Sequence, residues 1–482
     1  MGTGSLPTVP GGALMFRPID PQRPADLPER TLPFWRMAGP GAVLVGLSIG
    51  AGEIIVWPGL VARYGASMIW VAVVGLVLQF GINLEVGRYT IATGESIFTG
   101  YSRVWRGFAP VFMLLTVAST VAPGWARASG LTFKALLVGP AGFGSDTFWT
   151  GLTFAAIWVL LFGPKVAYRA VEKSIEVLVA LITLGMIAVA VQIGSGETWL
   201  ELLGGAVNVG YRHPDMPVKT MFIALVFAGA GGTTNLFYSY YLRDKQIGMG
   251  AQVPAMRNPL RGKVEAVPSA GFRFGDSAGN AARFKGWWRY VVQDQVLFFL
   301  GLNALTLMLF VYGALAALRP RGIVPAPGTL IWDEAQILAE LIGEPGRILF
   351  LVVGAATLLS CQIAIVDGVA RCLADMFHTN FRFGPRLSLG SWYLALATAM
   401  MVVGTLITGV MESRGVSELG FFFNSAYMGG FAMALYVPLN LWVNHRYLPR
   451  AARPGIFASA FTLLSSMVYI GFAAYCLADA LR

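Results

Sequence analysis

The chain has 482 residues, of which 56% are hydrophobic and only 12% charged, with a formal net charge of +10. Soluble domains carry about 25% charge, so this composition excludes a string of soluble domains and points to one large membrane domain. The surplus of Lys and Arg is a topology signal rather than a nucleic-acid footprint, because it falls mainly in alternate loops.

Residues 1–36 are rich in proline, lack an apolar run and have no signal-peptide core. They are expected to form a disordered cytoplasmic arm. From residue 37 to 482 the chain reads as a single transmembrane domain, with eleven apolar stretches near the ~20 residues a bilayer requires. These are about 39–64, 67–88, 108–126, 147–163, 175–194, 219–242, 290–317, 347–375, 387–410, 418–442 and 456–479. With the N-terminus inside, 25 of the 35 Lys and Arg fall on the inner side. The C-terminus then lies outside, and the cell (inner) membrane is the expected location.

The stretch 244–287 is the longest connection and carries Arg257, Arg261, Lys263, Arg273 and Arg283 among glycines and prolines. It is expected to be a solvated, partly disordered basic cytoplasmic loop facing anionic headgroups, with a regulatory or partner site as the lesser alternative. Trp332–Gly343 places Ile337, Leu338, Leu341 and Ile342 at helical spacing, which predicts a short amphipathic helix on the outer surface.

Two spans are interrupted. Gly39–Pro58 contains Gly50-Ala51-Gly52-Glu53, and Phe222–Leu242 contains Ala228-Gly229-Ala230-Gly231-Gly232-Thr233-Thr234-Asn235. A carboxylate at bilayer depth costs roughly 2.5–3.5 kcal/mol unless protein or water solvates it. The interruptions lie five spans apart, so the second half enters the membrane from the opposite side, which is the sequence pattern of an inverted-repeat transporter. Repeat one covers about 39–194, repeat two about 219–442, and an eleventh helix follows at about 456–479. Where a helix unwinds, carbonyls and amides face a cavity, and free carbonyls attract cations. Gly50, Glu53, Gly231, Gly232, Thr233, Thr234 and Asn235 are therefore the candidate substrate site, an oxygen-donor set suited to hard ions. Close helix packing by glycine and alanine is the competing explanation for either break taken alone.

In order and spacing these motifs resemble the Nramp family of divalent metal transporters, which share the LeuT-type fold. Gly39-Pro40-Gly41 followed by the broken run is similar to that family's GPG…DPGN. Arg88 and Thr93-Gly94 fall on its R…VTG pattern, with Asn83 at the usual glutamine. Ala335–Gly343, Gly354–Gln362 and Gly368 resemble its eighth-helix region. The resemblance implies an all-α 5+5 inverted repeat with discontinuous helices 1 and 6, and transport of a divalent metal ion by alternating access.

The binding motifs depart from that pattern. Gly50-Ala51-Gly52-Glu53 stands over DPGN, so the ligating aspartate is absent, and Gly232-Thr233-Thr234-Asn235 stands over MPHN, so the methionine and histidine are absent. Losing the thioether leaves a harder site, for which Mg²⁺ or Mn²⁺ is the expected guest. Glu53 either replaces the aspartate or pairs with a neighbouring helix. The third span has no acid and Thr234 occupies the histidine position, which argues against proton coupling.

Secondary candidates are Asn83, Glu85, Gln362, Asp367, Asn424 and Tyr427. Of these, Glu85 with Arg88 and Asp367 with Arg371 have the spacing of ion pairs that anchor helices. Asp294 is expected near the start of its helix, where the macrodipole and water explain it. Asn424 and Tyr427 sit on the tenth span, with the Phe421-Phe422-Phe423 run, on a face that would line the cavity opposite the breaks. Cys361, Cys372 and Cys476 form no paired motif, and His213, His378 and His445 are far apart, so neither a disulfide framework nor a zinc site is expected. No cofactor is expected, and no metalloprotease, Walker or Ser-His-Asp motif speaks for an enzyme. A transporter of a small organic solute is the alternative function, and a receptor or assembly factor that keeps the fold without transport is a further one.

Overall fold

A computed structural model describes residues 15–481 except 121–122, 165, 257–258, 261–267, 269, 325–329 and 417–418. With no water to bond the main chain at bilayer depth, long apolar runs satisfy their own amides as helices. Helix α1 (Pro40–Tyr64) is built in three pieces: α-helix to Ser48, a π-helix over Ile49–Val56, and α-helix again from Trp57. The Gly-Pro-Gly entry follows from packing. A Cβ on Gly39 (φ +150°) would overlap the Glu172 carboxylate, Pro40 opens the first turn, and a Cβ on Gly41 would lie 2.7 Å from the Asp294 carboxylate.

Helices α2 (Ile69–Thr93), α3 (Ile97–Val104), α4 (Phe108–Thr120), α5 (Gly124–Val138), α6 (Asp146–Phe162), α7 (Ala167–Ile193) and α8 (Gly196–Val207) follow. Helix α9 (Val218–Val226) stops at the second interruption. Gly231 and Gly232, at φ +70° and +57°, turn the chain into a 3-10 segment (Gly232–Phe237) that leads to α10 (Tyr238–Asp244). Then come α11 (Ala278–Asp294), a π-helix (Gln295–Leu302) and α12 (Asn303–Ala317) in one continuous rod, followed by α13 (Leu330–Ile342), α14 (Glu344–Asn380), α15 (Leu389–Arg414), α16 (Leu419–Tyr447) and α17 (Ile456–Ala480).

Among the described residues nine helical stretches are long and apolar enough to cross a membrane. Of the eleven expected spans, the fourth is the 17-residue α6, and the sixth is divided between α9 and α10. The most apolar stretch of α1 is 94% buried, against 28% for both α15 and α17. The outer helices present Leu184, Val191, Leu406 and Phe457 to the surroundings, as lipid-facing helices do. Helix α13 lies where the amphipathic segment is expected, with Ile337 and Leu338 buried and Leu341 exposed.

Three local expectations are corrected. The arm is not loose over residues 15–36: Arg23–Pro24 (β1) pairs in parallel with Phe272–Arg273 (β2), and Phe16 bridges to Phe381. Leu27 is fully buried, its N–H donates to Asn280 Oδ1 (3.0 Å), and Trp287 donates to the Pro28 carbonyl (2.8 Å). Scattered single anchors hold this proline-rich segment, which is why no apolar run announces it. Residues 1–14 lie outside the described residues. The 244–287 loop is ordered where it receives the arm, and Arg283 pairs with Glu29 at 2.9 Å; Arg257, Arg261 and Lys263 lie outside the described residues. Asp294 closes α11 rather than opening a helix, because the seventh helix begins at Ala278. Fully buried, Asp294 accepts from Tyr238 (2.8 Å) and from the Gly41 amide at the start of α1.

Candidate functional site

The break between α9 and α10 frees main-chain groups that must find other partners. Gln79 on α2 supplies several of them: its amide nitrogen donates to the carbonyls of Leu225 (3.2 Å) and Val226 (2.9 Å). Its oxygen accepts from Gly231 N–H (2.9 Å) and Asn235 Nδ2 (3.1 Å). Further along, Trp57 donates to Phe227 O (3.2 Å), Asn303 to Ala228 O (3.2 Å), and Tyr436 to Gly232 O (2.8 Å). Thr234 folds back onto the carbonyls of Ala230 and Gly231. Free carbonyls awaiting a cation, as the glycine run suggests, are thus not what the break provides; side-chain donors cap them.

Replacing Gln79 with leucine removes four hydrogen bonds at once. Each buried group left unpaired costs about 1–3 kcal/mol. The Gln79→Leu protein is expected to melt markedly lower in detergent than the parent; differential scanning fluorimetry checks this.

Between α1 and the break lies a cavity of about 30 Å³, room for about two water molecules. Gly52, Gly231, Gly232 and Thr234 line it, together with Ser48, Ser119, Thr120, Trp125, Cys361 and Ser425. The two interruptions therefore do meet at one place. Gly50 stands just behind, where a Cβ would strike Cys361 and approach the Trp125 indole nitrogen. The lining contains no carboxylate. Ser48 Oγ and Trp125 Nε1 are buried without hydrogen-bond partners, so the wall offers donors.

Glu53 is absent from that wall. It is fully buried on the π-turn of α1, and neither carboxylate oxygen has a hydrogen-bond partner. The side chain beside it is Thr306 on α12, whose hydroxyl donates to the Leu302 and Asn303 carbonyls (both 3.2 Å). One turn before Thr306, Asn303 is oriented by its bond to Ala228 O, which leaves its buried Oδ1 without a donor. Glu53, beside Thr306, and Asn303, one turn before Thr306, thus each bring unpartnered buried oxygens to the region where α12 meets α1 and the break. Asn303, Thr306 and Gln79 are absent from the sequence candidates. The test applied to Glu53, a polar side chain at bilayer depth, would have found them.

The remaining candidates separate. Thr233 is buried with its hydroxyl unpartnered, and Asn235 faces Gln79 and Tyr436 rather than the cavity. Glu85 pairs with Arg88 at 3.0 Å and accepts from Asn444 at 2.8 Å. Asn83, two residues before Glu85 on the same helix, is fully buried with no partner at either amide atom. Gln362 is buried on α14 with Oε1 unpartnered. Asp367 pairs with Arg371 at 2.5 Å and accepts from Tyr393 at 2.7 Å. Asn424 is exposed, and Tyr427 packs against Phe431 under Lys219, so neither lines the cavity. Helix α16 instead turns Ser425, Ala426 and Gly429 inward, because a Cβ on Gly429 would meet Gly232, and only glycine on both sides permits that approach. The Phe421 side chain lies outside the described residues.

The chain is mostly helical, its two interrupted helices meet at a buried cavity, and its fold is of the LeuT type. The solved structures similar to it agree. The Eremococcus coleocola manganese transporter, in complex with an aromatic bis-isothiourea compound, matches with TM-score 0.68 at 13% identity, over 92% of this chain and 87% of that one. Mhp1, a nucleobase-cation-symport-1 family transporter with bromovinylhydantoin bound, matches with TM-score 0.56 at 15% identity, over 93% of each chain. MhsT in complex with L-phenylalanine gives 0.54 at 15%, over 91% and 98%. By sequence, no protein-family model and no curated protein matches.

Proposed function

We propose that this multi-pass membrane protein is an Nramp-like secondary transporter or facilitator that moves a hard divalent cation, Mg²⁺ or Mn²⁺, by alternating access. The carrying observation is the fully buried Glu53 carboxylate beside Thr306, with no hydrogen-bond partner at either oxygen, together with the unpartnered Asn303 Oδ1 one turn away on α12. Oxygens that meet no donor in a buried site call for a cation, and a carboxylate with an amide oxygen and a hydroxyl is a hard-ion set. The overall likeness to a manganese transporter supports the reading. The two halves, about 39–194 and 219–442, would rock about this junction as inverted repeats, in a cell (inner) membrane with the N-terminus cytoplasmic and the C-terminus outside.

The donors of Ser48 and Trp125 favour a second reading, a small organic solute whose acceptor atoms occupy the cavity. Purified protein in liposomes, assayed for Mg²⁺, Mn²⁺ and Ca²⁺ entry, separates the two. Uptake of a divalent ion without any solute is expected; an absence of flux for all three ions would sink the first reading and leave the second.

A further inference from the structure

On the face that the arm covers, the corner between α3 and α4 borders an open cleft of about 620 Å³, a volume in the range of small-ligand sites. Phe16 and Ile19 of the arm line it, with Tyr447 at the end of α16 and Arg103, Trp105 and Arg106 at the corner. Each wall is fixed in place. The Arg17 N–H, next to Phe16, donates to the Asn380 carbonyl (2.7 Å), and Phe16 packs on Phe381 with ring centroids 5.4 Å apart. The Tyr447 hydroxyl donates to the Arg103 carbonyl (2.9 Å). The Arg103 guanidinium in turn donates to the Asp20 carbonyl (2.9 Å) and to the Glu95 carboxylate (3.0 Å). Trp105 lies against Phe108, ring centroids 5.2 Å apart, and a Cβ on Gly107 would strike its indole ring.

The cleft joins an unanswered positive charge to exposed apolar surface. Arg106 is exposed and makes no ion pair or side-chain hydrogen bond among the described residues. The acids beside the cleft are already engaged: Glu95 is buried and also accepts from Tyr89, Gln22 and the Gly271 amide, while Asp20 pairs with Arg17 at 3.6 Å. Trp105 is 59% exposed although its ring is held, the arrangement of a tryptophan at a membrane–water interface. Helix α4, which opens a membrane span, begins three residues later. Its Pro110 and Leu114 lie four residues apart on one face and both are exposed, Leu114 by 69%. Leu114 is about 9 Å along the helix from Phe108. A small soluble anion would use the guanidinium alone; a phospholipid, with a phosphate head and acyl chains, matches both parts.

We propose that this cleft binds an anionic phospholipid, its head-group phosphate on Arg106 beside Trp105 and its acyl chains along Pro110 and Leu114 of α4. The planar guanidinium offers a phosphate two parallel N–H donors, and the cleft has room for the remainder of the head group. Because Phe16 and Ile19 line the same cleft, a bound lipid favours the arm in its seated position, and by linkage an unseated arm weakens the lipid. The lipid site stands on the membrane fold alone and is the same whether the transported substrate is a cation or an organic solute.

Native mass spectrometry of the full-length protein, from detergent holding equal amounts of phosphatidylglycerol and phosphatidylcholine with matched chains, reads which lipid resists removal longest. Phosphatidylglycerol is expected to be retained in preference. Arg106→Glu is expected to lower its occupancy roughly tenfold, the loss of one charge-assisted contact, and to leave phosphatidylcholine unchanged; Arg106→Gln is expected to give a smaller loss in the same direction. Glycerol 3-phosphate, a head without chains, is expected not to displace the lipid at equal concentration. Hydrogen–deuterium exchange in nanodiscs reads the arm. The amides of Arg17, Arg23 and Ala25, which bond the Asn380, Gly271 and Arg273 carbonyls, are expected to exchange severalfold more slowly in phosphatidylglycerol than in phosphatidylcholine, and equally in both for Arg106→Glu. Equal retention of the two lipids, or retention and arm protection unmoved by either Arg106 variant, would overturn the site. Displacement by glycerol 3-phosphate at equal concentration would replace the lipid with a soluble phosphate ester and overturn it too.

Discussion

Glu53→Gln is expected to weaken cation binding by roughly 10- to 100-fold, the 1.5–3 kcal/mol of a charge-assisted contact, and to raise the stability of the cation-free protein. The two effects have one origin. An ionised carboxylate that is fully buried without a partner is costly in the absence of its ion, and Glu53 has neither a hydrogen bond nor an ion pair among the described residues. Glutamine fills the same space without the charge. A ligand present at 100 times its dissociation constant stabilises a protein by about 2.7 kcal/mol, and one bound 10- to 100-fold more weakly by about 1.4 to 0.4 kcal/mol, so divalent ions should raise the melting temperature of the unaltered protein and that of Glu53→Gln by about half as much or less. Thermal melting with and without Mg²⁺ or Mn²⁺ reads both effects. If the variant keeps the full cation-induced shift, Glu53 is not a ligand and its burial has another cause.

Arg371→Met is expected to be the most damaging single change away from the site, costing about 3–5 kcal/mol, as breaking a buried ion pair on one side does. The Arg371 guanidinium is 1% exposed and bonds Asp367 on its own helix (2.5 and 3.2 Å) and Asp244 at the end of α10. Removing it leaves the buried Asp367 with only the Tyr393 hydroxyl (2.7 Å) and Asp244 with only Arg243 at 3.6 Å, and it loosens α10, the half-helix below the break, from α14. Asp375, held by Arg243 at 3.0 Å and by the Tyr240 hydroxyl at 3.2 Å, is then left to join that end to α14. Melting in detergent is expected to show a large drop, partly restored in the Arg371→Met, Asp367→Asn double variant because one stranded charge is gone. Equal stability of Arg371→Met and the parent would mean that the network is not needed to join the two helices.

The fold is legible in the sequence wherever apolar length and glycine placement carry the information. Glycines at Gly50–Gly52 and Gly229–Gly232 mark the two interruptions, and their pairing locates the cavity. What they do not reveal is form. Helix α1 widens into a π-turn instead of unwinding, and the carbonyls of the second break are capped by Gln79, Trp57, Asn303 and Tyr436. Those donors come from other helices, and a one-dimensional pattern does not say which helix faces a break. For the same reason the sequence pattern puts Glu53 in the cavity with Gly52. One residue on, the π-turn directs it to α12. The arm escapes notice because single residues such as Leu27 and Phe16, not a periodic run, hold it in place.

The central claim is that a hard cation is held between Glu53, Asn303 and Thr306. Anomalous X-ray diffraction from crystals grown with Mn²⁺ tests it directly. The account predicts an anomalous peak at about 2.0–2.6 Å from the Glu53 carboxylate, within the range of hard-ion oxygen bonds, with Asn303 Oδ1 as a second ligand. A peak among Ser48, Trp125 and Thr234 instead, or no peak inside the membrane domain at all, would contradict it.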